Sequence, residues 1–406
     1  MKLVLFTSTY PYGHDESFIA NELRIAERKF EHIYIICRKE KKEGHIQYIP
    51  NNATVIERDN SIGVLVRAMF ASCSFASIRD IWYSHNTLKQ KVDSYTIKKI
   101  VDAKVNAFSA VKLAHNFPVS DDYVVYSYWL DGLAWGAICF GEKVKSHSIV
   151  ARAHGVDCFV ARGYQPFRRE MLHHLKAVYS VSDAGANDIV EHIVSTTNQK
   201  KRLAHVKVGR LGVFGGAPNP ERKGDSIVIV TCSHIIGLKR LDLLIDALSL
   251  IDDISVEWIH FGDGELAELI KGYAEDKLGN KANVRYQFMG KVSNEAVRRF
   301  YETQHIDIFV NCSDCEGLPV SIMEAMAHGI PVLARNVGGN NEIVNDQAGW
   351  LLTKEDPHAI ADIIASLAKM NDQEIQEKRK SALDTWEKEF SAENNYNIFY
   401  EEIMSI

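Results

Sequence analysis

No apolar run in these 406 residues approaches the roughly 20 needed for a helix that crosses a bilayer. Lys2-Leu3-Val4-Leu5-Phe6-Thr7 turns polar too soon for a secretory leader, so none is expected. The seven cysteines are scattered at positions 37, 73, 139, 158, 232, 312 and 315, several of them in or beside strand-like runs. That distribution argues against a disulfide framework and predicts reduced thiols in the cytoplasm. Cys312-Ser313-Asp314-Cys315 is a lone CxxC without a second pair, which argues against a zinc site. There is no strong internal repeat, no low-complexity tract and no Asp-x-Asp flanked by strand signals.

A hydrophobic content of 46% and a charged content of 25% suit a globular protein long enough for two domains. The net charge of −6 is divided unevenly: residues 1–200 hold 25 Lys/Arg against 21 Asp/Glu, and residues 201–406 hold 22 against 32. The positive balance of the first half suits an acidic partner such as an anionic bilayer or a phosphorylated lipid; chance distribution over solvated faces is the plainer alternative.

The most informative stretch is Cys315-Glu316-Gly317-Leu318-Pro319-Val320-Ser321-Ile322-Met323-Glu324-Ala325-Met326. The β-branched run Ile306–Asn311 before it predicts a strand. Pro319 suits a first helical turn, Ala325, Met326 and Ala327 favour helix, and Gly329-Ile330-Pro331 predicts its stop. A helix N-terminus after a glycine turn offers free amides and a favourable dipole to an anion. Glu324 sits among apolar residues, which predicts a buried carboxylate in need of a partner. A sugar diol donating two hydrogen bonds is such a partner.

Two glutamates separated by seven residues, with Gly-Leu-Pro after the first, resemble the E-x7-E motif of retaining glycosyltransferases of family 4, the group 1 enzymes of GT-B fold. The resemblance implies an α/β architecture of two Rossmann-like, doubly wound parallel-sheet domains facing a central cleft. It is strong over about 226–352, moderate over 1–40 and 120–215, and absent over 58–112. Thr7-Ser8-Thr9-Tyr10-Pro11-Tyr12-Gly13 and Trp129-Leu130-Asp131-Gly132-Leu133 look most like bacterial surface-polysaccharide enzymes.

In the first half, Lys2–Thr7 reads as a buried strand, Ser8–Asp15 as a turn, Glu16–Lys29 as a helix and Ile33–Cys37 as a second strand, the opening of a right-handed crossover. The family uses the loop holding Gly13 near the junction of donor and acceptor. Residues 58–112 carry nine Lys/Arg and four acids interleaved with Phe70, Phe75, Trp82 and Tyr95. Such a segment rests on an anionic membrane or packs as ordinary helices on the sheet; nothing accompanies it that points to nucleic acid. Strands follow at 123–128 and 148–152, the second ending in His154-Gly155-Val156-Asp157. This is similar to the family's donor-sugar motif, in which the histidine reaches the sugar and the aspartate holds the loop or the acceptor. Arg162, Arg168 and Arg169 form a basic stretch suited to an acceptor phosphate.

The first domain is expected to span 1–213 and to bind the acceptor. A Gly/Pro-rich linker at 214–224 precedes the nucleotide-sugar domain at 225–385, and a helix at 386–406 is expected to pack back on the first domain. In the second domain, the strand at 226–232 leads to Ser233-His234 and to Lys239-Arg240 before a helix. Many relatives have Gly-Arg where this chain has Ser233-His234, so the second cation is here a histidine or is replaced by Arg240. The strand at 255–261 ends in Gly262-Asp263-Gly264-Glu265, like the family's nucleotide loop, and Gly290 and Val292 follow the strand whose exit reads the base. Gly338–Glu342 reads as a flexible turn.

The resemblance implies a retaining transfer of a hexose-type sugar from a UDP- or GDP-sugar to a saccharide or polyprenyl-linked saccharide, without metal or organic cofactor. The implied catalytic residues are His154, Lys239 and Glu316. The implied donor contacts are Gly13, Ser233, Gly262, Gly264, Gly290, Val292, Gly317, Leu318, Pro319, Val320 and Glu324, with Asp157 and Arg240 toward the acceptor. A cytoplasmic enzyme, peripheral on the inner face of the plasma membrane, is expected. Two rivals are a GT-B nucleotide-sugar epimerase, which needs no acceptor, and an inactive nucleotide-sugar-binding scaffold.

Overall fold

Runs of Val, Ile and aromatic residues too short for helices alternate with helical segments along most of the chain, the pattern of parallel sheets covered on both faces. The computed structural model describes residues 1–13, 16–38, 45–58, 61–119, 121–197, 203–222 and 224–406. His14 and Asp15 of the expected turn, Asp59 of the basic segment and Lys223 of the expected linker lie outside the described residues.

Two compact units emerge, one of residues 1–211 with 392–406 and one of residues 212–391. The first contains β1 (Lys2–Phe6), β2 (His32–Cys37), β3 (Ala53–Glu57), β4 (Tyr123–Ser127), β5 (Ser148–Ala153), β6 (Ala177–Ser180) and β7 (His205–Val208). They form one sheet in the order β3-β2-β1-β4-β5-β6-β7, every pairing parallel. The second unit contains β8 (Ile227–Cys232), β9 (Val256–Phe261), β10 (Val284–Phe288), β11 (Ile308–Asn311), β12 (Val332–Arg335) and β13 (Gly349–Leu352). Its order is β10-β9-β8-β11-β12-β13, again parallel throughout. Both are doubly wound sheets whose winding reverses between the first strand and the fourth of each unit. Ligands of open α/β sheets bind outside the carboxyl ends of the strands at such a reversal.

Several boundaries differ from the expectation. The stretch 214–224 is no free linker but part of the second unit. Asn219 is buried there, donating to the Tyr301 carbonyl at 2.6 Å and the Gln304 carbonyl at 2.8 Å. Trp386 Nε1 donates to the Val213 carbonyl at 3.1 Å, so residue 213 also belongs to the second unit. The C-terminal helical region divides at Phe390: the helix Asp372–Glu389 stays with the second unit, and only Ala392–Ser405 joins the first. Ser148 donates to the Ile403 carbonyl at 3.0 Å, and the Arg152 guanidinium lies 4.2 Å from the Phe399 ring centre. Residues 58–112, which lacked a clean pattern, form three helices, Ile62–Ser72, Phe75–Asn86 and Ser94–Ala114. The segment read as a flexible turn at 338–342 contains the short helix Asn340–Ile343, with Asn340 fully buried.

Candidate functional site

In the second unit, β8 and β11 are neighbours at the winding reversal, and the turns that follow them meet. The Leu238 carbonyl accepts from the Asp314 amide at 2.9 Å, tying turn to turn. Lys239 Nζ, in the turn after β8, donates to Glu316 Oε1 at 2.6 Å. Glu316 is buried, and the same oxygen accepts from Asn311 Nδ2 at 3.2 Å. Asn311 ends β11 and is itself held: its Oδ1 accepts from the Ser313 amide at 3.2 Å.

The glycine pair behind this turn explains its position. Gly338 has φ +54°, and a Cβ there would lie 1.9 Å from the Glu316 carbonyl oxygen. A Cβ on Gly339 would lie 2.0 Å from the Gly317 carbonyl oxygen. These residues act by close backbone approach rather than by flexibility. Gly317 and Leu318 then lead to Pro319, still extended at ψ 113°, and to the helix Val320–Met326. Its first-turn amides face back toward the turn that carries Glu316.

Glu324 lies within that helix and is buried, as its apolar neighbours predicted. Asn294 Nδ2, at the start of the helix Asn294–Thr303, donates to Glu324 Oε1 at 2.6 Å. Burial pushes the Glu324 carboxyl up to about 7, against the pull of that hydrogen bond and of Arg298. Val292 stands half-buried two residues before Asn294.

The expected nucleotide loop is packed against the end of β8. Gly262, at φ +141°, admits no side chain, because a Cβ would lie 1.8 Å from the Ser233 carbonyl oxygen. A Cβ on Gly264 would lie 2.4 Å from the Ile235 carbonyl oxygen. The Gly262 amide donates to the Gly290 carbonyl at 2.9 Å, which brings the loops after β8, β9 and β10 to one place. Gly290, at φ +68°, has open space where a Cβ would stand.

Arg240 does not stand free as a replacement cation. It pairs with Asp242 at 3.1 Å, with Asp314 at 3.2 Å and with Glu355, and Arg335 shares the last two partners. His234 is exposed. Lys239 is thus the cation that this geometry points at the Glu316 turn.

The first unit builds a second cluster on the carboxyl ends of β1, β4 and β5. Glu16 was expected to begin a helix. Its buried carboxylate instead gathers the loop after β1, accepting from the amides of Ser8 at 3.1 Å, Thr9 at 2.7 Å and Tyr10 at 2.7 Å. The same carboxylate accepts from Trp129 Nε1 at 2.6 Å, and the helix starts only at Ile19. Gly13 closes this loop at φ +77°, its amide donating to the His45 carbonyl at 3.0 Å.

His154 follows β5 and lies in an aromatic cage. Ring centres stand 4.5 Å away for Trp129, 5.1 Å for Tyr128 in a stacked geometry, and 5.9 Å for Phe18. Both of its ring nitrogens are buried and have no hydrogen-bond partner among the described residues. Burial and the nearby Arg152 hold its pKa well below the usual histidine value, so the ring is neutral at pH 7.

Asp157 holds the loop on which His154 sits. Its carboxylate accepts from the His154 amide and, at 2.6 Å, from the Leu130 amide. Burial, with Asp131 facing it, pushes this carboxyl up to about 7. Arg168 is buried and donates to the Asp157 carbonyl at 2.7 Å, an internal tie rather than the surface cation expected for an acceptor phosphate. Arg169 lies in the same helix, its guanidinium 4.2 Å from the Tyr83 ring centre.

Within each unit, then, most of the expected residues converge. Asn294, Asn311, Glu16 and Trp129 were not anticipated in these roles. An asparagine at a helix start reads as a cap, and its reach to a distant carboxylate has no local signal.

Residues 217–383, nearly all of the second unit, match the family model described as glycosyl transferases group 1. A protein of Escherichia coli (strain K12) named for colanic acid biosynthesis glycosyltransferase activity is 38% identical over 79 residues, 19% of this chain and 20% of that protein. The O-antigen biosynthesis glycosyltransferase WbnH of Escherichia coli is 24% identical over 212 residues, 50% of this chain and 56% of that protein. The matched stretches thus span from about a fifth to just over half of these relatives. The crystal structure of Alr3699/HepE of Anabaena, in complex with UDP and glucose, superposes with a TM-score of 0.68 at 16% identity, covering 100% of both chains. That likeness shows the fold: two Rossmann-like parallel-sheet units of the GT-B class.

Proposed function

We propose that this chain, whose second unit is a glycosyl transferases group 1 domain, moves a hexose-type sugar from a UDP- or GDP-sugar to a saccharide or lipid-linked saccharide in bacterial polysaccharide biosynthesis, with retention at the anomeric carbon. The observation that carries the reading is the pairing of Lys239 with Glu316 at 2.6 Å, on a turn backed by two glycines and leading to buried Glu324.

The chemistry follows from charge. Breaking the anomeric bond leaves a cationic sugar and a departing diphosphate. Lys239 and the amides of Leu318 and Val320 meet the diphosphate, and the low-dielectric surroundings strengthen that interaction. Glu316 exchanges its lysine contact for a sugar hydroxyl, and Glu324 accepts from the ribose diol. In the first unit, neutral His154 has two ring nitrogens without a partner among the described residues, suited to a sugar hydroxyl. The charge of the leaving group is carried by protein donors, so no metal ion or organic cofactor takes part in the proposed reaction.

We place the reaction on the cytoplasmic face of an anionic membrane. The helices Ile62–Ser72 and Phe75–Asn86 expose Met69, Phe70, Phe75, Ile78 and Trp82, each more than half accessible. Arg67 is exposed beside them, Arg79 is exposed but pairs with Glu170 at 3.1 Å, and Asp80 is buried, accepting from Tyr164 and from the Phe167 amide. An apolar face with Arg67 at its edge suits acidic headgroups. None of the seven cysteines, all of them among the described residues, forms a disulfide, in keeping with a reducing compartment. Among the described residues no helix is long and apolar enough to cross a membrane.

Transfer is tested by supplying the donor with and without a polysaccharide-precursor acceptor and reading the product's anomeric configuration by NMR. Full-rate conversion of the donor without acceptor would sink transfer in favour of an epimerase or hydrolase. Sedimentation with phosphatidylcholine vesicles, with and without phosphatidylglycerol, tests the membrane face. Binding that needs the anionic lipid and is lost in Phe70→Ser/Phe75→Ser supports it; no binding to either vesicle overturns it.

A further inference from the structure

A cavity of about 330 Å³ opens in the first unit, apart from His154, and is lined by Ser8, Arg38, Arg58, Lys99, Asp131 and Gly132 among others. These residues come from the carboxyl ends of β1, β2, β3 and β4 and from the helix Ser94–Ala114. We infer that this cavity binds the phosphate or diphosphate group of the acceptor, a reading that rests on the transferase assignment above.

Arg58 is the centre of the argument. Its Nη2 donates to the Ser8 carbonyl at 2.9 Å and to the Thr7 carbonyl at 3.2 Å, and its Nη1 to Asn106 Oδ1. All three partners are neutral, and its buried Nε has no partner among the described residues. Nor does any carboxylate among the described residues form an ion pair with it. Burial pushes its pKa down to about 10, which leaves it a cation at pH 7. The guanidinium is half-buried at the cavity wall, with Asp131 and Glu16 near it but neither in an ion pair with it, so an anion entering the cavity would be its first direct counter-ion.

The rest of the lining has the same sense. Lys99 Nζ donates at 2.8 Å to Gln165 Oε1, another neutral partner. Arg38 adds a third cation. Asp102 and Asp131 are the opposing carboxylates, and Asp131 spends an oxygen on the Leu133 amide as the cap of the helix Gly132–Lys143. The N-terminus of that 12-residue helix is thus already occupied by the Asp131 carboxylate, and the pull on an anion rests on the three cations. Leu65, on the exposed helix Ile62–Ser72, lines the same cavity, so a lipid carried on that face leads directly to it.

Arg162, Arg168 and Arg169 are not among the described residues that line this cavity, and Arg168 is spent inside the fold. Phosphate chemistry has two sources here, a lipid-linked diphosphate and a soluble sugar phosphate. The cavity's position beside the apolar helices favours the first.

The test uses the full chain and calorimetric titration with inorganic pyrophosphate and, separately, UDP. With UDP saturating the Lys239 site, wild type is expected to bind a further pyrophosphate, and Arg58→Gln and Lys99→Gln each weaken that binding about tenfold or more. UDP binding itself is expected to be weakened by Lys239→Ala and left alone by Arg58→Gln and Lys99→Gln. Pyrophosphate binding that survives in both Arg58→Gln and Lys99→Gln, or that is absent from wild type, overturns the inference. If Arg58→Gln does not fold, Lys99→Gln and Arg38→Gln decide. Loss of UDP binding in wild type with the pyrophosphate pattern intact would instead strike the transferase reading alone. Competition against bound pyrophosphate separates the sources: farnesyl diphosphate in detergent outcompetes glucose 1-phosphate if the lipid-linked group is the ligand, and the opposite order overturns that assignment.

Discussion

Lys239 and Glu316 stand 77 positions apart in the chain, yet their charged atoms are 2.6 Å apart, because β8 and β11 lie side by side and each turn follows the end of its strand. The pair is charge-neutral and mostly buried, with side-chain exposures of 19% and 10%. A diphosphate entering beside it would draw the lysine, and a sugar hydroxyl would take the place on the glutamate.

Lys239→Ala is therefore expected to lower turnover by about 100-fold or more, since a charge-directed donor in a dry site is lost. It also leaves Glu316 buried with Asn311 as its remaining donor, so the melting temperature should fall too. Glu316→Gln removes the charge but keeps the shape. It should lower turnover to a similar extent with less loss of stability. Steady-state kinetics and thermal melting of both variants check this, and wild-type turnover in both would remove the assigned site.

How far this site was legible depends on the range of the interaction. Glu316, Glu324 and Lys239 could be placed because strand, glycine turn and helix signals flank them within a dozen residues. The asparagines that hold them could not, because Asn294 reaches Glu324 only through tertiary approach of two helices. Gly338 and Gly339 read as flexibility, but a backbone pressed against residues 316 and 317 demands the same residue type for the opposite reason. Glu16 followed helix propensity in the sequence, yet the fold spends it on three loop amides and an indole. The doubly wound class itself was plain, since it rests on the alternation of elements rather than on any single contact.

The glycine pair yields a contrast between neighbours. Gly338→Ala and Gly339→Ala place a methyl about where the carbonyl oxygens of Glu316 and Gly317 now lie, 1.9 Å and 2.0 Å from the new Cβ. The turn must move, and a displacement of about 1 Å costs on the order of 100-fold in rate. Gly290→Ala meets nothing within 4 Å and suffers only the strain of a positive φ, roughly 1–2 kcal/mol. Its kcat should therefore fall far less. Kinetics of the three variants side by side would refute the positional argument if Gly338→Ala proved the mildest.

If Glu324 holds the ribose as proposed, its titration links donor binding to pH. Its carboxyl is pushed up from 4.5 to about 7 by burial. In the unfolded chain it ionises first, so between those values the folded state holds the extra proton. This contribution to stability is present below about 4.5 and is lost as pH rises toward 7. The ionised form accepts the ribose diol better, so nucleotide affinity should rise from pH 6 to pH 8. Glu324→Gln should flatten both dependences. Calorimetry of UDP binding and denaturant titrations across this range measure them, and an unchanged pH profile in the variant would assign the titration elsewhere.

His154 separates packing from chemistry most cleanly. Its ring fills a cage of Phe18, Tyr128 and Trp129, while its two buried nitrogens bond nothing among the described residues. His154→Phe keeps an aromatic body in the cage and removes two polar atoms that cost free energy where they stand, so the variant should melt at or above the wild-type temperature. If the histidine served packing alone, the phenylalanine enzyme would be fully active. If its nitrogens bond the donor sugar, turnover should fall by about 100-fold while UDP, which lacks the sugar, binds as before. His154→Gln, which restores a donor and an acceptor, should recover part of the loss. A stable and fully active phenylalanine variant would return His154 to the core.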